Sequence, residues 1–91
     1  MAWVPVLARV SFYAGGRGGE RPYWVFFAGK RWPVELFGEA TVGGERPGPV
    51  ERRFLLLGGE RFFRVVVGEG KVRVELWVGE GAPRGQVDLL A

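Results

Sequence analysis

The side chains able to perform acid–base or nucleophilic chemistry are few in this 91-residue sequence. It contains no His and no Cys, which excludes imidazole-based triads, thiolate nucleophiles and zinc sites built on those ligands. Paired carboxylates could in principle cleave glycosidic bonds. Most of the Glu residues instead lie beside glycine in predicted turns, where solvation accounts for them: Glu20, Glu45, Glu60, Glu69 and Glu80. We therefore predict a protein that is not an enzyme, with no catalytic residues, no cofactor and no metal site.

Glycines divide the sequence into short apolar runs that are rich in Val, Phe and Trp. Apolar and polar residues alternate within these runs with a period of two, which is typical of strands joined by tight turns. The sequence therefore predicts a single all-β domain over residues 1–91, in which antiparallel hairpins form a small six-stranded barrel or a two-layer sheet. We expect the strands at about 3–13, 23–28, 31–37, 50–57, 61–67 and 71–78, and residues 86–90 could add a short one.

Three hairpin turns set the expected strand registers: Gly29-Lys30, Gly58-Gly59 and Glu69-Gly70. These turns would place Phe27 opposite Trp32, Phe54 opposite Phe63, and Val65 opposite Val74. The third turn is selected by burial, because a one-residue slip would move every valine of that hairpin to the wrong face. The predicted core consists of Tyr23, Val25, Phe27, Val34, Leu36, Phe54, Phe63, Val65, Val67, Val72, Val74 and Leu76.

In these registers, the back of the second group of strands combines basic and aromatic side chains. We refer to these residues as the predicted face: Arg53, Phe62, Arg64, Lys71, Arg73 and Trp77. Small β domains bind single strands by stacking bases on aromatic rings while a positive groove follows the backbone, so this face is the candidate site for single-stranded nucleic acid. It could instead be covered by the N-terminal strand or the other hairpin, with Arg64 and Glu75 forming a neutralised cross-strand pair.

A surplus of aromatic residues supports an alternative function. So short a chain cannot bury all the aromatics that the expected faces turn outward: Trp3, Tyr13, Trp24, Phe26 and Trp77. A contiguous exposed aromatic patch usually marks an interface, and homodimerisation would also enlarge a small core. The alternative is therefore a protein–protein interaction module or a homodimerising structural module.

Composition adds expectations about location and source. The formal net charge is +3, which is mild for a nucleic-acid-binding protein. No segment approaches the roughly 20 apolar residues that a membrane span requires, and the first residues lack a basic start and are interrupted by Pro5. We expect a cytoplasmic protein without a membrane partner. Arg outnumbers Lys by 11 to 2, which fits a GC-rich genome or a thermophilic source.

Four motifs follow one another between residues 23 and 77: Trp24-Val-Phe-Phe27, Gly29-Lys-Arg-Trp-Pro-Val34, Phe62-Phe-Arg-Val65 and Val74-Glu-Leu-Trp77. Their order resembles a family of small uncharacterised bacterial β domains, which occur alone or joined to relatives of lesion-bypass DNA polymerases. The resemblance implies an accessory role linked to nucleic acid and supplies no catalytic residues. After residue 80, the aromatic-rich final strand of that family has no counterpart here.

Overall fold

The computed structural model describes residues 2–13, 21–43, 50–85 and 89. Its eight strands are β1 (Ala2–Val6), β2 (Ala8–Tyr13), β3 (Arg21–Phe27), β4 (Lys30–Pro33), β5 (Glu35–Val42), β6 (Glu51–Gly58), β7 (Arg61–Gly68) and β8 (Lys71–Val78). They form two antiparallel sheets, one of five strands in the order β1-β8-β7-β6-β5 and one of three in the order β2-β3-β4. The all-β prediction is confirmed, and of its two architectures the chain adopts the two-layer sheet rather than a closed barrel.

Two of the six predicted strands bend and contribute to both sheets. The predicted strand 3–13 is interrupted at Leu7, which is 98% exposed, so that β1 pairs with β8 while β2 pairs with β3. The predicted strand 31–37 is interrupted at Val34 and extends to Val42, with β4 pairing with β3 and β5 pairing with β6. These two corners explain why eight strands are observed where six were predicted.

The hydrophobic core lies between the two sheets. Its fully buried members are Val25, Phe54, Leu56, Phe63, Val65 and Val74, and the predicted residues Phe27, Val34, Leu36, Val67 and Leu76 pack against them. The rings of Phe27 and Phe63 join the two sheets in an edge-to-face contact with centroids 5.8 Å apart. Leu56 was not among the predicted core residues, because the expected register placed it opposite Arg61.

Two predicted core residues, Tyr23 and Val72, are wrong: they are 44% and 47% exposed. Strand β3 carries a bulge at Tyr23, because Ser11 pairs with Trp24 and the next residue, Phe12, pairs with Pro22. The inward side of β3 therefore changes from Val25 to the buried Pro22, and Tyr23 turns outward. Val72 lies beyond the last β1–β8 pair, and the corner at Leu7 carries the chain away from it.

The observed hairpin turns show which of the three predicted strand registers are correct. The Glu69-Gly70 turn is confirmed, and Val65 lies opposite Val74. The other two registers are wrong by two residues: the turns are Ala28-Gly29 and Gly59-Glu60, with Val25 opposite Trp32 and Phe54 opposite Val65. In the first, Ala28 and Gly29 both have positive φ, as a type I′ hairpin turn requires. A slip of two residues leaves each side chain on the same side of the sheet, so the predicted assignment of residues to the inward and outward sides is unchanged in these two hairpins.

The end of the described chain packs against the five-stranded sheet. Leu89 is fully buried, and its amide N–H donates to the carbonyl oxygen of Gly85 at 3.0 Å, an i to i−4 bond. A strand at 86–90 is therefore wrong at Leu89, the one residue of that range that the structure describes. Across the described ranges, no helix has the length and apolar character needed to span a membrane.

Candidate nucleic-acid interface

The six residues of the predicted face do share the outward side of the five-stranded sheet. The cross-strand pairs set this arrangement, because Val66 lies opposite both Arg53 and Arg73, and Arg64 lies opposite Glu75. The Gly58-Gly59 turn would have placed Arg53 opposite Arg64, which is wrong because of the two-residue slip of the β6–β7 hairpin. The six residues therefore form a single face, but its basic side chains differ in whether they are ion-paired within the protein or exposed to solvent.

The arginines at the centre of the predicted face are engaged by carboxylates. The side chain of Arg64 is 11% exposed, its Nε donates to Glu75 Oε1 at 2.7 Å, and its guanidinium lies over the Trp3 ring at 4.9 Å. Arg53 donates from Nη2 to Glu51 Oε2 at 3.1 Å. Ion pairs of this kind leave little uncompensated charge for a ligand.

The aromatic residues of the predicted face are also packed within the protein. Phe62 lies against Phe37 with centroids 5.6 Å apart, and Trp77 lies against Trp3 at 5.1 Å. The Trp77 Nε1 donates to the carbonyl oxygen of Gly81 at 3.1 Å. These contacts take up much of the ring surface on which a base would stack.

The predicted face is partly covered, both by Trp3 of the N-terminal strand and by Leu89. Strand β1 pairs with β8 at the sheet edge and places Trp3 against Arg64 and Trp77. Leu89 packs over Gly38, where a Cβ would lie 3.5 Å from the leucine Cδ2. The carbonyl oxygen of Leu89 accepts from Arg53 Nη1 at 3.2 Å. Lys71 and Arg73 stay exposed near the sheet end, and Arg73 Nη2 lies 3.9 Å from Glu51.

A second basic and aromatic surface covers the outward side of the three-stranded sheet. Strand alternation turns Val10 and Val25 inward and brings two rows outward: Arg9–Phe26–Arg31 and Ser11–Trp24–Pro33. The β3 bulge adds Tyr23 beside the terminal pair of Tyr13 and Arg21. We call this surface the basic face, and its charged and aromatic members are Arg9, Tyr13, Arg21, Tyr23, Trp24, Phe26 and Arg31.

The basic face differs from the predicted face in its electrostatics. Strands β2, β3 and β4 contain no Asp or Glu. Within the ranges that the structure describes, Arg9, Lys30 and Arg31 form no ion pair. Arg21 lies 3.9 Å from Glu39, at the far end of the face. The uncompensated positive charge is therefore concentrated near the β3–β4 turn.

The aromatic residues of the basic face lie on the same side of the sheet, and three of their rings are in contact. Phe26 is 40% exposed and lies between the two arginines of its row. Trp24, two residues earlier on the same side, lies under the guanidinium of Arg31, whose Cζ is 4.2 Å from the ring centroid. Tyr23 meets Trp24 at 6.1 Å and Tyr13 at 6.3 Å, both edge to face. Phe26 and the two tyrosines thus offer ring surface to solvent.

An open groove of about 820 Å³ lies at the charged end of the basic face. Its lining includes Arg9, Lys30 and Arg31 together with Phe26 and the fully exposed Leu7. The groove is large enough for a nucleotide and combines cations with apolar surface. Among the described residues, no three acidic side chains gather closely enough to hold a metal ion.

The sequence analysis did not identify the basic face because it depends on two facts about register. A Gly29-Lys30 turn would set Phe26 opposite Pro33, whereas the Ala28-Gly29 turn sets it opposite Arg31. The Arg9–Phe26 pair joins strands separated by residues 14–20, and a connection of that length fixes no register. The sequence feature that could have indicated the basic face is the absence of acidic residues from 8–13, 21–27 and 30–33.

Comparison of the chain with protein-family models, with curated proteins and with solved structures gave no match. The argument for a function therefore rests on the geometry of this chain.

Proposed function

We propose that the protein is a non-catalytic module that binds single-stranded nucleic acid on the basic face. The observation that carries this proposal is the row Arg9–Phe26–Arg31, in which an exposed ring lies between two arginines on a sheet without carboxylates. Binding of single strands combines base stacking on aromatic side chains with a cationic track along the phosphates. The row supplies both components at adjacent positions.

The dimensions of the basic face suit a short single strand. Tyr13 lies four positions after Arg9 along β2, a distance of about 13 Å at the rise of an extended strand. Four-stranded sheets with exposed aromatics stack two or three bases, and Phe26, Tyr23 and Tyr13 provide three rings here. A duplex hides its base faces in its own stack, so these rings favour a single strand.

The alternative of homodimerisation is disfavoured for the basic face by its charge. A two-fold dimer would place the same patch of both copies in contact. Arg9 and Arg31 would then approach the same residues of the second copy without an acidic group in β2, β3 or β4 to compensate them. A polyanionic partner complements the face, whereas a second copy of it does not.

Titration of a fluorescently labelled ten-nucleotide oligothymidine tests the proposal. We expect the logarithm of the binding constant to fall linearly with the logarithm of salt concentration, with a slope of about −1.4 if Arg9 and Lys30 contact phosphates. Arg9→Gln should weaken binding and reduce the slope by about 0.7. Arg73→Gln is the matched control, because it removes the same charge from the five-stranded sheet at a side chain that is 66% exposed.

Three results would overturn the proposal. Absence of oligonucleotide binding at low salt would show that the proposed function is wrong. An effect of Arg73→Gln as large as that of Arg9→Gln would move the site to the predicted face. Equal competition by a ten-residue oligoglutamate would assign the basic face to acidic peptides.

A further inference from the structure

Arg31 occupies an unusual position within the basic face. Its guanidinium lies over the Trp24 ring at 4.2 Å, and its strand position is directly opposite Phe26. Within the described part of the chain it has no carboxylate partner. The residue is thus held by an aromatic ring, while its hydrogen-bond donors are not taken by an acidic group.

Contact with an indole face orients a guanidinium without consuming its donors. The guanidinium group is planar, with five N–H donors directed outward in that plane. A ring contact engages the face of the group, so the N–H groups at its edges stay available. Arg9, across Phe26 on the other side, has no ring contact of this kind among the described residues. The two arginines that flank Phe26 are therefore not equivalent.

We propose that Arg31 makes the basic face selective for guanine, an inference that rests on the proposed function. A base stacked on Phe26 has Arg31 beside it, because cross-strand neighbours have Cβ atoms about 5 Å apart. Guanine presents two acceptors, O6 and N7, on one edge, and an arginine donates to both at once. Adenine presents one acceptor and one donor on that edge, and thymine presents a single acceptor. Arg9 then contacts a phosphate.

Trp24 is a positioning residue in this arrangement. A face of its ring is taken up by Arg31, whose strand position is opposite Phe26, and Trp24 acts by fixing the orientation of that guanidinium on the outward side of the sheet. Its loss should reduce discrimination among bases and leave the phosphate contacts of Arg9 and Lys30 unchanged. Base preference and salt dependence thus separate the positioning role from a general role in affinity.

The test compares ten-nucleotide oligothymidines whose central base is thymine, adenine, guanine or 7-deazaguanine. We expect the guanine oligonucleotide to bind about 5- to 150-fold more tightly than the thymine one, the range for a bidentate arginine contact. The 7-deaza analogue lacks the N7 acceptor and should lose most of this preference. Arg31→Lys keeps the charge and should abolish the preference, whereas Arg9→Lys, the matched control, should retain it. Trp24→Leu should lower the preference without changing the salt slope, and thermal unfolding checks that each variant is folded.

The outcomes separate this inference from the function on which it depends. If no oligonucleotide binds, the proposed function fails and the inference fails with it. If all four oligonucleotides bind equally, the function stands and guanine selectivity is wrong. Selectivity that survives Arg31→Lys would assign the recognition of guanine to another residue and overturn the role of Arg31.

Discussion

The outward faces of the two sheets both combine arginines with aromatic residues but differ in how their arginines are paired. On the five-stranded sheet, Arg64 lies opposite Glu75 and is bonded to it at 2.7 Å. On the three-stranded sheet, Arg9 and Arg31 lie on either side of the exposed Phe26. A carboxylate on the neighbouring strand makes an arginine part of the packing, whereas an aromatic neighbour leaves its charge available to a ligand. The identity of the cross-strand partner therefore distinguishes a face with ion-paired arginines from one with uncompensated charge.

The largest expected effect is on the cover of the five-stranded sheet. Leu89→Ala should lower the free energy of unfolding by about 2–5 kcal/mol, the range for truncation of a fully buried leucine. Chemical denaturation measures this change, and a loss below about 0.5 kcal/mol would mean that Leu89 faces solvent.

Oligonucleotide binding by the same variant tests the comparison directly. Its affinity for oligothymidine should be unchanged under conditions where the variant is folded, because Leu89 lies over the other sheet. Tighter binding would identify the uncovered five-stranded face as the site.

The second prediction concerns the paired arginine. Glu75→Leu should lower the free energy of unfolding by about 1–3 kcal/mol, because it leaves the nearly buried guanidinium of Arg64 without its carboxylate. Arg31→Gln on the exposed three-stranded face should change stability by no more than about 0.5 kcal/mol. Thermal and urea unfolding of both variants provide the measurement. Equal losses would show that the arginines of both faces are structural.

The third prediction uses two exposed phenylalanines, one on each sheet. Phe26→Ala should weaken oligothymidine binding by about 1–3 kcal/mol through lost base stacking. Phe37→Ala, at a residue that is also largely exposed but lies beside Phe62, should leave the affinity unchanged. Fluorescence anisotropy under identical salt conditions compares them. The reverse result, with Phe37 sensitive and Phe26 silent, would restore the predicted face as the binding surface.

The structure predicted from the sequence agrees best with the observed structure where the interactions are local. The Glu69-Gly70 hairpin was predicted in its correct register, because alternating valines on both strands leave one burial solution. The Ala28-Gly29 turn was missed because it places a non-glycine residue at positive φ, which the sequence pattern does not favour. Trp32 offsets that cost, since its Nε1 donates to the carbonyl oxygen of Phe27 at 3.1 Å and its backbone position is opposite the buried Val25.

The sequence by itself determined the all-β class, the strand-forming segments and which side of most strands faces the core. These properties follow from the period-two alternation and from the glycines at turns, and both act over a few residues. The tertiary structure alone decided the corners at Leu7 and Val34, the pairing of β2 with β3 and the packing of Leu89 on the five-stranded sheet. These features depend on contacts between distant segments, whose register no local pattern sets. Whether an arginine meets Glu75 or Phe26 is a contact of the same kind, so the available charge on each face is a property of the folded chain.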